Sequence, residues 1–128
     1  MATEILVNDG GAPARIIPFT AGSAITAGYA LQMGADAEVD TIAGADNVMP
    51  VGVAFTDATS GNVASVITGK GIILNMYCSG TIGRGDNVAT LADGNLGPAS
   101  ASSVAVGTYI DGSGAHSGAA TLQKVLWG

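Results

Sequence analysis

Few folds are open to a chain whose β-prone runs are short and are each closed by a glycine-bearing turn, and residues 49–76 make such a chain. Three runs, 51–56, 62–68 and 72–76, are separated by the polar turns 57–61 and 69–71. Each run is too short for a helix and bounded by turn chemistry, so the stretch predicts an antiparallel meander. Within the first run Val51, Val53 and Phe55 share one face, with Gly52, Ala54 and Thr56 on the other. Strands of this kind are half-buried, with small residues where another surface comes close.

Composition says what such strands can bury. The 128 residues suffice for one domain with a modest core. Hydrophobic residues make up 48% of the chain, yet it holds two Phe, three Tyr and one Trp, so the core is built from Ala, Val, Ile and Leu. Small side chains bury little area each, at roughly 25 cal/mol per Å² of apolar surface, which favours stability gained from a partner or from oligomerisation. With 20 Gly and only 11% charged residues, much of the surface is expected to be covered in use.

The net charge of -6 rests on ten acidic residues against Arg15, Lys70, Arg84 and Lys124. Four scattered cations supply no phosphate-binding patch, so nucleic acid is not expected as a partner. Ile5-Leu6-Val7 is broken by Asn8-Asp9-Gly10-Gly11, which argues against a signal peptide, and no apolar run approaches the roughly 20 residues of a spanning helix, so no membrane partner is expected. The single cysteine, Cys78, has no internal disulfide partner, which fits assembly in a reducing cytoplasm.

In order along the chain, residues 1–20 are expected to form an extended N-terminal arm and residues 21–128 a β-rich domain. Pro13 and Pro18 argue against a helix interior and a central strand, while Ile16, Ile17 and Phe19 would gain nothing on a free tail. Ile16, Ile17, Pro18 and Phe19 are therefore the candidate contact residues for a partner or a neighbouring subunit. Ile25-Thr26-Ala27-Gly28-Tyr29-Ala30-Leu31 is a turn feeding a strand, echoed by Ile82-Gly83-Arg84-Gly85-Asp86-Asn87-Val88. Gly28 and Gly85 lie 57 positions apart and Gly52 and Gly107 lie 55 apart, which suggests a duplicated β-unit. Asp93-Gly94-Asn95 signals a tight turn, residues 97–103 a loop, and residues 121–127 the last strand. Phe55, Ile67, Ile73, Leu122 and Leu126 are the expected core; Trp127 fits either a subunit interface or the closure of a barrel.

No catalytic constellation emerges. His116 is the only histidine and sits in a Gly- and Ser-rich loop without a nucleophile elbow. Cys78 has no local basic partner and reads as a small buried residue. Asp36, Glu38 and Asp40 would share one face of an extended backbone, but without the loop pattern of a calcium site they read as a solvated strand face. Arg84-Gly85-Asp86 suits a turn, and Thr68-Gly69-Lys70-Gly71 lacks phosphate-loop spacing. No enzyme activity, cofactor or metal is expected.

Residues 25–31, then Pro50-Val-Gly-Val-Ala-Phe-Thr-Asp-Ala-Thr-Ser-Gly61, then Val63-Ala-Ser-Val-Ile-Thr-Gly-Lys-Gly71 follow the order of the small capsid decoration, or cement, proteins of tailed bacteriophages. Ile82-Gly-Arg-Gly-Asp-Asn-Val88 fills the slot of the second glycine unit, and Gly107 with residues 118–125 resembles a closing repeat of the middle one. The resemblance covers about residues 20 to 126. It departs from the family at Met49-Pro50 and offers no motif for the arm. It implies a small all-β fold, a single-domain β-barrel or β-tulip, that forms homotrimers near local threefold positions on the outside of a virion and clamps the major capsid protein. Cementing of this kind is binding linkage: whatever binds only the mature lattice stabilises it. The alternative is a glycan- or receptor-binding module of a head or tail fibre, for which Tyr29, Tyr77, Tyr109 and Trp127 are the aromatic platforms available.

Overall fold

The computed structural model describes residues 5–8, 15–42, 50–91, 93–100, 105–111 and 118–128. Among these the regular structure is all β, in eleven strands: β1 (Leu6–Asn8), β2 (Arg15–Ala21), β3 (Ala30–Met33), β4 (Glu38–Thr41), β5 (Gly52–Ala54), β6 (Val63–Thr68), β7 (Ile72–Cys78), β8 (Asn87–Thr90), β9 (Leu96–Pro98), β10 (Gly107–Tyr109) and β11 (Thr121–Trp127). The small all-β domain expected from the strand pattern is what the chain forms.

The strands make two rings of the same topology. β2, β4, β3, β5 and β6 close a barrel in which only the β2–β4 contact is parallel. β7, β9, β8, β10 and β11 repeat that order, again with one parallel contact, Cys78 opposite Leu96, and β1 lies along β7 as an added strand. Registers repeat as well as order. Cys78 stands 57 positions after Ala21 and Leu96 57 after Val39, the parallel pair of the first ring. Val88–Gly107 repeats Leu31–Gly52, and Tyr109–Val125 repeats Ala54–Val66. The closing hydrogen bonds follow suit: Gly28 N–H to Ala54 O (2.9 Å) matches Gly85 N–H to Tyr109 O (2.8 Å), and Val51 N–H to Leu31 O matches Val106 N–H to Val88 O, both 2.8 Å. The duplicated β-unit suggested by the glycine offsets is thus present strand for strand.

The interiors correspond position by position and differ in size. Ala21, Ile25, Leu31, Val39, Ala54 and Val66 line the first ring, where Cys78, Ile82, Val88, Leu96, Tyr109 and Val125 line the second. The larger second interior holds one phenol, and the Tyr109 hydroxyl donates to Gln123 Oε1 at 2.8 Å. The outer faces diverge more. Ala30, Val53 and Ile67 are fully buried in the larger core cluster, whereas their counterparts Asn87, Thr108 and Leu126 are polar or exposed. The first ring lends its outer face to the joint between the units; the matching positions of the second are exposed at Asn87 and Leu126 and half-buried at Thr108.

Several sequence expectations need correction. Residues 62–68 and 72–76 are not neighbours in a meander: β6 pairs with β2 and β5, β7 with β1, β11 and β9. Between them Gly69 (φ +127°) and Gly71 (φ +73°) carry the chain from one ring to the other instead of reversing it. The arm expected over 1–20 is, from Arg15 onward, a barrel strand laddered to β6 from Arg15–Thr68 to Thr20–Val63. Gly97 and Pro98, expected in a loop, belong to β9, held by β8. Leu126, expected in the core, is 39% exposed because it points from the outer face of the second ring. Asp36 falls in a turn, so only Glu38 and Asp40 share a strand face.

That turn holds Ala37 at φ +55°, a left-handed conformation normally left to glycine. Its counterpart in the second ring is Gly94, at φ +80°. The Cβ of a left-handed residue crowds its own carbonyl by roughly 1–2 kcal/mol, partly offset by the greater freedom of glycine in the unfolded chain. Ala37→Gly is therefore expected to raise stability by about 0.5 kcal/mol, read as a higher urea midpoint at unchanged slope.

Candidate interaction surface

The four candidate contact residues, Ile16, Ile17, Pro18 and Phe19, all fall on β2. Alternation sends Ile17 and Phe19 toward the first ring's interior, opposite Val66 and Ala64, and sends Ile16 and Pro18 the other way. Phe19 is half-buried and packs against the smaller core cluster. Ile16 and Ile17 are 43% and 37% exposed, and Pro18 is exposed. The four candidates are therefore brought together on one strand, three of them accessible and Phe19 serving the core.

Backbone direction makes this strand an edge. The Thr20 N–H donates to Ala37 O at 3.2 Å on the β4 side, and the Ala21 N–H donates to Asn62 O at 2.8 Å on the β6 side. With a period of two, the N–H of Ile16 and the ring nitrogen of Pro18 face the same way as Thr20. β4 reaches only Thr20 and Ala21, so among the described residues no strand pairs with β2 beside Ile16 and Pro18. Proline is tolerated there because its missing N–H would point away from the ladder.

The remaining candidates do not converge on chemistry. Among the described residues no three His, Cys, Asp or Glu side chains come together to hold a metal ion, and no helix is long and apolar enough to cross a membrane. His116 lies outside the described residues. Arg84-Gly85-Asp86 is an exposed turn whose aspartate is engaged locally, Oδ2 accepting the Gly83 N–H at 2.8 Å. Tyr109 is fully buried and Trp127 is 6% exposed, so neither offers a face to a sugar; Trp127 closes the end of the second ring. Tyr29 and Tyr77 stack on each other with centroids 4.6 Å apart, at the joint where Tyr77 N–H donates to Gly28 O. Burial foremost, then the neighbouring Tyr77 and Asp93, raises the Tyr29 pKa.

Cys78 is fully buried, and burial, with the nearby charge of Asp111 second, pushes its thiol up to about 12. Only the thiolate is nucleophilic, so in native protein at pH 8 this thiol is expected to ignore a disulfide reagent that titrates it fully in denaturant. Because the unfolded thiol ionises near pH 9 and the folded one near 12, the folded state binds the extra proton in that window. Stability is therefore expected to fall as pH rises from 9 to 12, with the thiol contributing no change below it.

The fold has a counterpart among solved structures. The head fibre gp8.5 N base of bacteriophage phi29 matches with a TM-score of 0.70 at 20% sequence identity, over 91% of this chain and 95% of that one. The two chains share one fold. No family model matches the sequence, and no curated protein does.

Proposed function

We propose that the protein is a structural component of a phage head, attached to its outer surface, where it bridges major capsid proteins as a homotrimer near local threefold positions. The observation that carries this reading is the likeness to a phage head fibre base along nearly the whole of both chains. It agrees in kind with the sequence resemblance to capsid decoration proteins, since both point to the head of a phage. The physical character of the molecule supports it. Ile16, Ile17 and Pro18 form an exposed apolar edge, with Phe19 anchoring the strand beneath them, and a protein that attaches by strand and surface contact needs such an edge. The acidic balance suits a surface turned to solvent and not to packaged DNA.

Particles of the virus that carries this chain, imaged by electron microscopy with and without it, test the reading. The expected difference is threefold density on the outside of the head. Heads whose outer surface is the same in both preparations would overturn it. Because β2 belongs to the barrel, side-chain variants and not deletion of residues 1–20 are the way to test the contact residues.

A further inference from the structure

The two rings are finished differently at one equivalent place. In the second ring β1 covers the edge of β7, with Leu6 opposite Leu74, Asn8 opposite Ile73, and the Asn75 N–H donating to Ile5 O at 2.7 Å. Under that strand Ile72, Leu74 and Trp127 are 2%, 0% and 6% exposed, and Ile5 itself is 6% exposed. The positions matching Ile72, Leu74, Asn75 and Trp127 in the first ring are Arg15, Ile17, Pro18 and Thr68. There no described strand covers the edge, and Ile17 is 37% exposed where Leu74 is sealed.

We propose that the β2 edge at Ile16 and Ile17 is a strand-docking site, completed by an extended apolar segment of a different polypeptide laid antiparallel to β2, and that Pro18 bars the chain's own β1 from that place. The occupant's chemistry follows from the edge. Ile16 offers both N–H and C=O outward, Pro18 only its C=O, and Ile17 asks for a large aliphatic side chain on its face. A β1 strand seated here as it sits on β7 would bring its Ile5 carbonyl to Pro18, where the donor supplied by Asn75 is missing. The missing donor adds to a loss of apolar footing, since β1 would exchange Ile72 and Trp127 for Arg15 and Thr68. Pro18 thus keeps β1 on β7 and leaves the first ring's edge for a strand that diverges before Pro18. This rests on the proposed function only for the name of the partner, which on that reading is the major capsid protein.

The test places a photoreactive benzoylphenylalanine at position 17 of the full chain and irradiates the cells in which the chain is naturally made. One predominant crosslink to another polypeptide is expected, with its yield cut at least tenfold by Ile16→Pro, which removes the edge donor on the side away from β6. A crosslink to the head shell protein supports both readings; one to a protein outside the head supports the docking site and removes the proposed function. Crosslinking only to a second copy, no crosslink, or an unchanged yield in a folded Ile16→Pro variant overturns the docking site, whatever microscopy shows of the head. Pro18→Asn supplies an arm that needs no Ile16 variant. It is expected to create a crosslink between position 17 and β1 of the same chain, and its failure to do so overturns the role given to Pro18.

Discussion

Gly52→Ala is expected to lower the stability of the protein by about 3 kcal/mol, and Gly107→Ala to do nearly the same from the other ring. A Cβ built on Gly52 would stand 2.4 Å from the Ile67 carbonyl oxygen and 2.7 Å from a Val66 methyl; on Gly107 it would stand 2.6 Å from the Leu126 oxygen and 3.1 Å from Val125. Neither glycine has a left-handed φ, so the cause is space and not conformation. The obstacle is backbone of the neighbouring strand in each ring, β6 for Gly52 and β11 for Gly107, which cannot rotate aside as a side-chain end would. Gly61→Ala is the control: its φ is +86° with nothing within 4 Å, so it bears only the left-handed cost of about 1 kcal/mol. Urea unfolding of the three variants separates the causes, and a Gly52→Ala midpoint at or above that of Gly61→Ala would mean that β5 and β6 do not approach so closely.

Leu74→Ala is expected to cost about 3 kcal/mol, while Ile17→Ala, at the matching place in the first ring, costs less than about 1 kcal/mol. Leu74 is fully buried in the larger core cluster beneath β1, so truncation opens a cavity that the surrounding strands cannot fill. Ile17 is already partly in water and no described strand lies above it, so truncation removes less burial and leaves little void. Equal losses at the two sites in the isolated protein would contradict the difference between a covered and an open edge.

How much of this was legible depends on the range of the interaction. Residues 121–127 show their strand plainly, and the offsets of 57 and 55 between glycines were visible because a tight turn and a close strand approach each demand glycine locally. Leu96–Pro98 was hidden because Gly97 and Pro98 carry loop chemistry; β9 exists through its ladder to β8 and its single contact with Cys78. The partner of β7 was misread because a glycine turn announces a change of direction but not its angle. The candidate contact residues Ile16, Ile17, Pro18 and Phe19 were legible as an apolar, proline-bearing stretch, but their membership in the barrel was not, since the ladder that holds them lies at residues 63–68.

From the sequence alone follow the β class, the short strands, the turns and the twofold recurrence of one unit, all set by side-chain shape and by backbone freedom over a few residues. Tertiary structure alone decided which face of each strand lies inside. Adjacent apolar pairs such as Ile16 and Ile17, Val66 and Ile67, or Ile72 and Ile73 satisfy either choice, and only pairing with distant strands breaks the tie. It also decided that β1 covers one ring's edge while no described strand covers the other's, where Pro18, with no N–H to donate, stands at the place of Asn75.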